Sequence, residues 1–402
     1  MDALYVMDRM DTIHPYYQPV INADDFKVIG YEVLGRIEGE SGVTSLGPFF
    51  TDATIPPEYK WEVDRELYKQ AVAWALTDES KPKLHFNVDA LVLGPLNKVE
   101  ELMQLFASFE NDGLLKQQVV FEIRLQGFKG ELDEMTHVFH YMRASGYTVS
   151  LDDVRITDTH LDQFSTLEPN IIKVDVSDLR ETTSYTTYSE ILDTLAFYTR
   201  KLGTTLHFKG IQNTHQLQMA WRHGGRYLQG YLFQKPASER IPVESFKDLV
   251  KASINTFIDS QHKRLSKELK LLKRFDRSVV DCYKKENEEA LLEKLSAIFR
   301  HESFRMYICD SYGYQLSPNW RKNEEIWDRD DRAVGKNWSW RTYFLDQVME
   351  MNFNKNGMLS DKYRDIETNE VIRTYSFPIN EEAYLFIDLD PLYLYEQNWL
   401  LQ

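Results

Sequence analysis

VVFEI (119–123) is an apolar run, too short for a helix, with one carboxylate near its end. LHFNV (84–88) precedes it, and YTVSL (147–151), NIIKVD (170–175), TTLHF (204–208) and GRYLQG (225–230) follow. Short runs rich in Val, Ile, Phe and Leu read as strands. Helix-like segments lie between them, near 95–110, 133–145, 188–202 and 214–222. This alternation predicts β-α units repeated around a parallel sheet. Upstream, 14–37 reads as two strands joined by the polar turn Asn22-Ala23-Asp24-Asp25, and 59–77 as the first long helix. Roughly seven or eight strands in about 240 residues predict a closed (β/α)8 TIM-type barrel, with an open doubly wound sheet as the alternative. No GxGxxG or P-loop pattern follows a strand, which removes the usual nucleotide signatures of open sheets.

Past Pro242 the texture changes, because the chain runs to Gly313 without another Pro or Gly. Val250, Ile254, Phe257, Ile258, Leu265, Leu269, Leu272, Phe275 and Val279 form one helical stripe flanked by Lys and Glu. A long connecting helix is predicted, packed at both ends, followed by a second through Glu288–Phe299. From Ser303 the pattern turns to strands: FRMYICD, a helix at WSWRTYFLDQVMEM, then GMLSDKYRD, EVIRTYSFPI and AYLFIDLD. The expected organisation is a barrel over 1–242, connecting helices over 243–300 and a small α+β domain over 301–402.

Bulk properties limit the function. The 402 residues carry a net charge of -16, which argues against binding duplex nucleic acid through the overall field but admits a small anion held by a metal. Cys282 and Cys309 are the only cysteines, so no disulfide framework is expected and a reducing compartment fits. The N-terminus lacks the apolar core of a signal peptide, and no uninterrupted apolar run approaches the length of a membrane helix. A cytoplasmic protein without a membrane partner is expected.

Groups able to bind a metal fall at or just after successive strand ends: Glu32, Asn87, Glu122, Asp152, Asp153 and Asp175, with Lys173 among them. In a barrel these ends converge on one face. Carboxylates gathered there would repel one another without a cation, and oxygen donors call for a hard ion, Mg²⁺ or Mn²⁺, with Ca²⁺ able to enter. Taken singly, an Asp or Glu after a strand is often only a helix cap. The ten histidines are dispersed and read as surface or satisfied core residues.

These residues carry a family resemblance. Tyr17-Gln18-Pro19-Val20 with Gly30-Tyr31-Glu32-Val33-Leu34-Gly35-Arg36 resembles the opening of EAL domains, whose signature appears here as Glu32-Val33-Leu34. Asn87, Phe121-Glu122-Ile123, Leu151-Asp152-Asp153, Ile172-Lys173-Val174-Asp175 and Gln229 to Pro236 (QGYLFQKP) follow in the family's order, over about residues 14–240. The resemblance implies a barrel that binds cyclic di-GMP and, when competent, cleaves one phosphodiester bond to give a linear dinucleotide. It implies a first metal on Glu32, Asn87, Glu122 and Asp152, and a second served by Asp152, Asp153 and Asp175. Glu32 and Lys173 would be the catalytic pair, with Lys173 positioning the attacking water. Gln18, Arg36, Asn87, Asp152, Asp175, Gln229 and Pro236 would bind the ligand, Arg36 as a charge partner for phosphate. It also implies a homodimer.

Three departures bear on turnover. The family's Glu-Gly-Val-Glu loop is Lys209-Gly210-Ile211-Gln212 here, putting an ammonium in place of a carboxylate near the second metal. A unit charge about 5 Å from a divalent ion costs on the order of several kcal/mol at an effective dielectric near 20. Leu125 replaces the second Glu of a family Thr-Glu pair, and Asp152-Asp153-Val154-Arg155-Ile156-Thr157 lacks the family's turn glycines. The expectation is a metal-dependent cyclic di-GMP receptor with little or no hydrolysis. The alternatives are an active phosphodiesterase, and a scaffold that no longer binds nucleotide. The C-terminal strand order, with Trp340-Arg341-Thr342-Tyr343-Phe344 opening a helix, resembles PAS or Cache sensor modules. Tyr307, Tyr343, Phe344, Tyr375 and Phe377 are read mainly as core, and a small-ligand pocket or a dimerisation role stays open. A downstream protein partner is expected, and the sequence does not identify it.

Overall fold

The structure, a computed structural model, describes residues 2–40, 42–125, 128, 130, 132–154, 161–179, 185–283, 288–324, 326–341 and 344–401. The expectations for Arg155, Ile156, Thr157, Thr342 and Tyr343 lie outside the described residues. The chain divides into two compact units, Met1–Phe257 and Ile258–Gln402, with the division inside the helix Lys247–Tyr283.

The first unit is a closed ring. Strands β1 (Ile13–Asn22) and β2 (Val28–Gly39) pair antiparallel, because the turn between them is too short for a parallel crossover. A short β3 (Gly42–Ser45) folds back on β2. Then come β4 (Lys83–Asp89), β5 (Val119–Arg124), β6 (Thr148–Val154), β7 (Ile171–Asp175), β8 (Thr205–Lys209) and β9 (Gly225–Leu228). The order β1-β9-β8-β7-β6-β5-β4-β2 closes through β1 and β2 into the expected eight-stranded barrel. One refinement to the repeating β-α pattern is that β1 runs against both neighbours. This reversal sets Gln18 opposite Glu32 in mid-strand.

Period-two alternation sorts the strand residues. Phe86 and Phe121 face the surrounding helices, where Phe106 packs 4.8 Å from Phe121 and 5.0 Å from Phe86. Fully burying each such ring contributes about 1.5–3 kcal/mol. The residues between them, His85, Asn87 and Glu122, face inward, where Glu122 meets Lys173 of β7. A packed apolar jacket therefore surrounds a polar barrel interior.

The helix Lys247–Tyr283 buries Val250 and Ile254 within the first unit and Phe275 and Val279 within the second. Its middle departs from the expected stripe: Ile258, Leu265 and Leu269 are 37%, 46% and 58% exposed. In the second unit the helix Glu288–Ile298 precedes a six-stranded antiparallel sheet. Its strands are β10 (Ser303–Asp310), β11 (Asn319–Asn323), β12 (Ile326–Asp330), β13 (Met358–Leu359), β16 (Thr374–Pro378) and β17 (Ala383–Leu389), with β14 (Tyr363–Arg364) and β15 (Val371–Ile372) forming a separate pair. The sheet order is β12-β11-β10-β17-β16-β13. Tyr307, Phe344, Tyr375 and Phe377 are buried among its core residues. Arg305 is buried with Asp388 and Asp365, each 2.6 Å away, and reaches Glu367 at 3.2 Å. Among the described residues both cysteines are free thiols, and no helix is long and apolar enough to cross a membrane.

Candidate functional site

The C-terminal ends of the parallel strands bring the expected acids together. Glu32 on β2 accepts hydrogen bonds from Asn87 Nδ2 at 3.0 Å and Gln229 Nε2 at 2.6 Å, and its Oε2 lies 2.9 Å from Lys173 Nζ. Lys173, fully buried on β7, also donates to Glu122 Oε2 at 2.6 Å. Gln229 donates in turn to Gln18 Oε1 at 3.1 Å, and Gln18 donates to the Gln234 carbonyl. One network therefore ties β1, β2, β4, β5, β7 and the end of β9 together.

Asp152 and Asp153 are neighbours in β6, and adjacent strand residues ordinarily point to opposite faces. Here the ladder to β7 slips between Leu151 and Val154, and Asp153 adopts φ 58°, a left-handed conformation that Asp tolerates. The bulge turns both carboxylates toward Lys209, whose Nζ lies 2.8 Å from Asp152 Oδ1 and 3.3 Å from Asp153 Oδ1. The next residue, Gly210, has φ 77°, and a Cβ there would stand 2.6 Å from Asp175 Oδ1. Glycine thus admits the close approach of β8 to β7. Asp175 itself accepts from the Ser177 amide at 2.8 Å, the local cap expected of an Asp just past a strand.

Burial opposes charge at each of these groups, and the partners overcome it. Desolvation would raise the Glu32 carboxyl, but Lys173 and Lys209 hold it well below the usual range. Asp152 is likewise desolvated yet held down, chiefly by Lys209 and then Lys173. Burial would strip the Lys173 proton, but Glu122, Glu32 and Asp152 raise its affinity for it. Lys209 is desolvated too, and Asp152 and Asp153 keep it protonated, so it neither sheds its charge nor bends away. His207, by contrast, is pushed well below its ordinary value by burial and then by Lys173.

Two cavities open above this network. One, of about 220 Å³, is lined by Glu32, Arg36, Asn87, Asp152, Asp153 and Lys209, among others. The other, of about 270 Å³, is lined by Gln18, Glu32, Asp175, Lys209, Gln229 and Tyr231, among others. They share Glu32 and Lys209. Glu122, Lys173 and Pro236 line neither, and Leu125 packs against the barrel core. Arg36 donates to the Gly35 carbonyl and to Ser45 Oγ, and among the described residues no salt bridge neutralises it.

The oxygen atoms of Glu32, Asn87, Asp152 and Asp153 suit a hard divalent ion. The ion-paired cluster of Glu32, Glu122, Asp152 and Asp153 against Lys173 and Lys209 falls two positive charges short of neutral. The donor set therefore fits one such ion.

Barrel, reversed first strand and acid-lined mouth together define an EAL-type protein. Residues 2–236 match the EAL domain family, to which this chain belongs, and residues 240–401 match the EAL-domain associated signalling protein domain. The EAL-domain containing protein YkuI of Bacillus subtilis is 36% identical over 100% of both chains. Its crystal structure, in complex with the substrate c-di-GMP and calcium, superposes with a TM-score of 0.93 over 100% of both chains. The cyclic di-GMP phosphodiesterase RocR of Pseudomonas aeruginosa is 26% identical over 56% of this chain and 57% of its own. The FimX EAL domain of the same organism, at 18% identity, shares the fold with a TM-score of 0.50 over 60% of this chain and 98% of that one.

Two inward-facing residues escaped the sequence reading. His85 and His207 were expected at the surface or satisfied in a core, yet both are buried inside the barrel, and among the described residues neither nitrogen of His207 has a hydrogen-bond partner. The signal was present as a repeated phase: Leu84-His85-Phe86-Asn87 and Leu206-His207-Phe208-Lys209 place each histidine two residues before a mouth residue.

Proposed function

We propose that this chain is a metal-dependent receptor for cyclic di-GMP that hydrolyses the nucleotide very slowly or not at all. The observation that carries the reading is Lys209 Nζ bridging Asp152 and Asp153, the two carboxylates expected to serve a second cation. Two cations about 3.5–4 Å apart are what such displacements use to activate water and stabilise the leaving oxygen. Lys209 already pairs with both carboxylates and offsets half of their charge, and an ammonium cannot polarise a water as a second divalent ion would.

Nucleotide binding draws support from the mouth itself. Arg36 lines the first cavity without a carboxylate partner among the described residues, which suits its guanidinium to pairing with a phosphate. Gln18 and Gln229 line the second, where their amides can orient a ligand. A single Mg²⁺, Mn²⁺ or Ca²⁺ on Glu32, Asn87, Asp152 and, as the resemblance implies, Glu122 would bind phosphate oxygen and neutralise the remaining carboxylate charge. YkuI, similar along its whole length, was crystallised with c-di-GMP and calcium, which supports this ligand and a divalent ion for the present chain. The active-phosphodiesterase reading has one observation in its favour, the intact Lys173 bridge between Glu32 and Glu122.

Calorimetric titration of cyclic di-GMP into the full chain tests the proposal. Saturable binding with Mg²⁺ is expected, falling at least about 30-fold in EDTA and in Arg36→Ala. Equal affinity with and without the ion would overturn the metal-dependent reading.

A further inference from the structure

Below the mouth, His85 of β4 and His207 of β8 meet inside the ring, their centroids 5.8 Å apart and their planes near perpendicular. His85 Nδ1 lies 2.8 Å from Glu122 Oε1. His85 Nε2, both nitrogens of His207 and the hydroxyl of Ser150 on β6 have no protein hydrogen-bond partner among the described residues. All four residues are buried to within 1%. A neutral imidazole always carries one donor and one acceptor, so a buried His207 with neither nitrogen paired, beside a His85 paired on one side only, is a costly arrangement that needs an explanation.

A metal supplies one. The candidate ligand atoms of His85, Glu122 and His207 lie within 4.8 Å of one another. Donors each roughly 2.0–2.2 Å from one zinc ion stand about 3.3–3.6 Å apart in a tetrahedron, so the three atoms have to draw in by up to about 1 Å. Two imidazoles with a carboxylate suit a borderline transition ion, whereas the oxygen donors of the mouth suit a hard one. Lys173 holds the other Glu122 oxygen at 2.6 Å and so fixes the carboxylate from behind. Ser150, the ladder partner of Glu122 on β6, carries a buried hydroxyl without a protein partner among the described residues.

We propose that His85, Glu122 and His207 form a buried transition-metal site, with Zn²⁺ the fitting ion, beneath the hard-ion site of the mouth. Charge balance admits both ions once a cyclic dinucleotide is bound. Four carboxylates against two ammoniums, with two anionic phosphates added, leave a deficit that two divalent ions match. On this assignment Glu122, which the resemblance also gives to the mouth ion, stands between the two sites, its Oε1 toward His85 and its Oε2 on Lys173.

Co²⁺ is the probe. The untagged full chain, stripped with chelator and titrated with Co²⁺, should take up one tightly held ion with visible absorption typical of nitrogen ligation. Zn²⁺ should displace it and a thousandfold excess of Mg²⁺ should not. His207→Gln should abolish that uptake, with Glu32→Gln retaining it. Should His207→Gln fail to fold by circular dichroism, proton NMR of the Co²⁺-loaded parent decides, two shifted imidazole N–H signals being expected. No tight Co²⁺ uptake, displacement by Mg²⁺, or uptake unaltered in His207→Gln would overturn the proposal. Cyclic di-GMP binding in Mg²⁺ is measured separately, so the receptor reading stands or falls apart from this one.

Discussion

Replacing Lys209 by Met removes the ammonium while keeping most of the side chain's bulk. Lys209 is 19% exposed in its side chain, and its partners Asp152 and Asp153 are 4% and 17% exposed. Removing one partner of such a buried pair costs about 3–5 kcal/mol, and we take about 3 because the cluster opens onto a cavity. For a unit of this size each kcal/mol moves the melting temperature by about 2–4 °C, so a fall of about 6–12 °C is expected without divalent ion. The same change should admit a second cation. At roughly 4 Å and an effective dielectric near 20, an ammonium and a divalent ion repel by about 8 kcal/mol. Even a quarter of that, about 2 kcal/mol, is roughly 30-fold in affinity. Calorimetry with Mn²⁺ should then count one more ion in Lys209→Met than in the parent, and Mn²⁺ should restore the lost melting temperature. An unchanged Mn²⁺ count, with a melting loss that Mn²⁺ does not recover, would refute the idea that Lys209 takes a cation's place.

Lys209→Glu, alone or with Leu125→Glu, should go further and raise production of linear dinucleotide at least about tenfold, read by chromatography under saturating Mn²⁺. Glu32 is held below its ordinary value of 4.5, so its contribution to stability is fully present above that value and is lost as pH falls below it. Urea unfolding should therefore weaken between about pH 5 and 3 more in the parent than in Glu32→Gln, and parallel losses would count against the ion-paired network. Arg305→Met strands two buried carboxylates, Asp388 and Asp365, while Glu367 keeps Arg321 at 2.8 Å, and should destabilise the second unit by about 3–5 kcal/mol. Calorimetric scanning should show that loss with cyclic di-GMP affinity unchanged.

The barrel was legible because its parallel strands are covered on both sides, which writes VVFEI and NIIKVD as apolar runs that few other structures need. The mouth was legible for a related reason: carboxylates placed at strand ends are unlike the residues on either side of them. What escaped depends on distance in space. Nothing local to Lys209 says that it meets Asp152 and Asp153, since the contact requires the β6 bulge and the left-handed Asp153. Nothing local to His85 says that another histidine lies across the barrel. The hairpin of β11 and β12 was missed because NWRKN and IWDRD are largely exposed and carry no apolar alternation. In the long helix, spacing marked Leu265 and Leu269 as part of a buried stripe, but spacing reports a face and not whether anything covers it.

Incubating the full chain with cyclic di-GMP and Mg²⁺ under saturating conditions, then separating the nucleotides by chromatography, tests the receptor account most directly. The account predicts bound nucleotide recovered intact after many hours. Linear dinucleotide accumulating at an ordinary enzymatic rate, on the order of 1 s⁻¹ or faster, would contradict it and make this barrel a working phosphodiesterase.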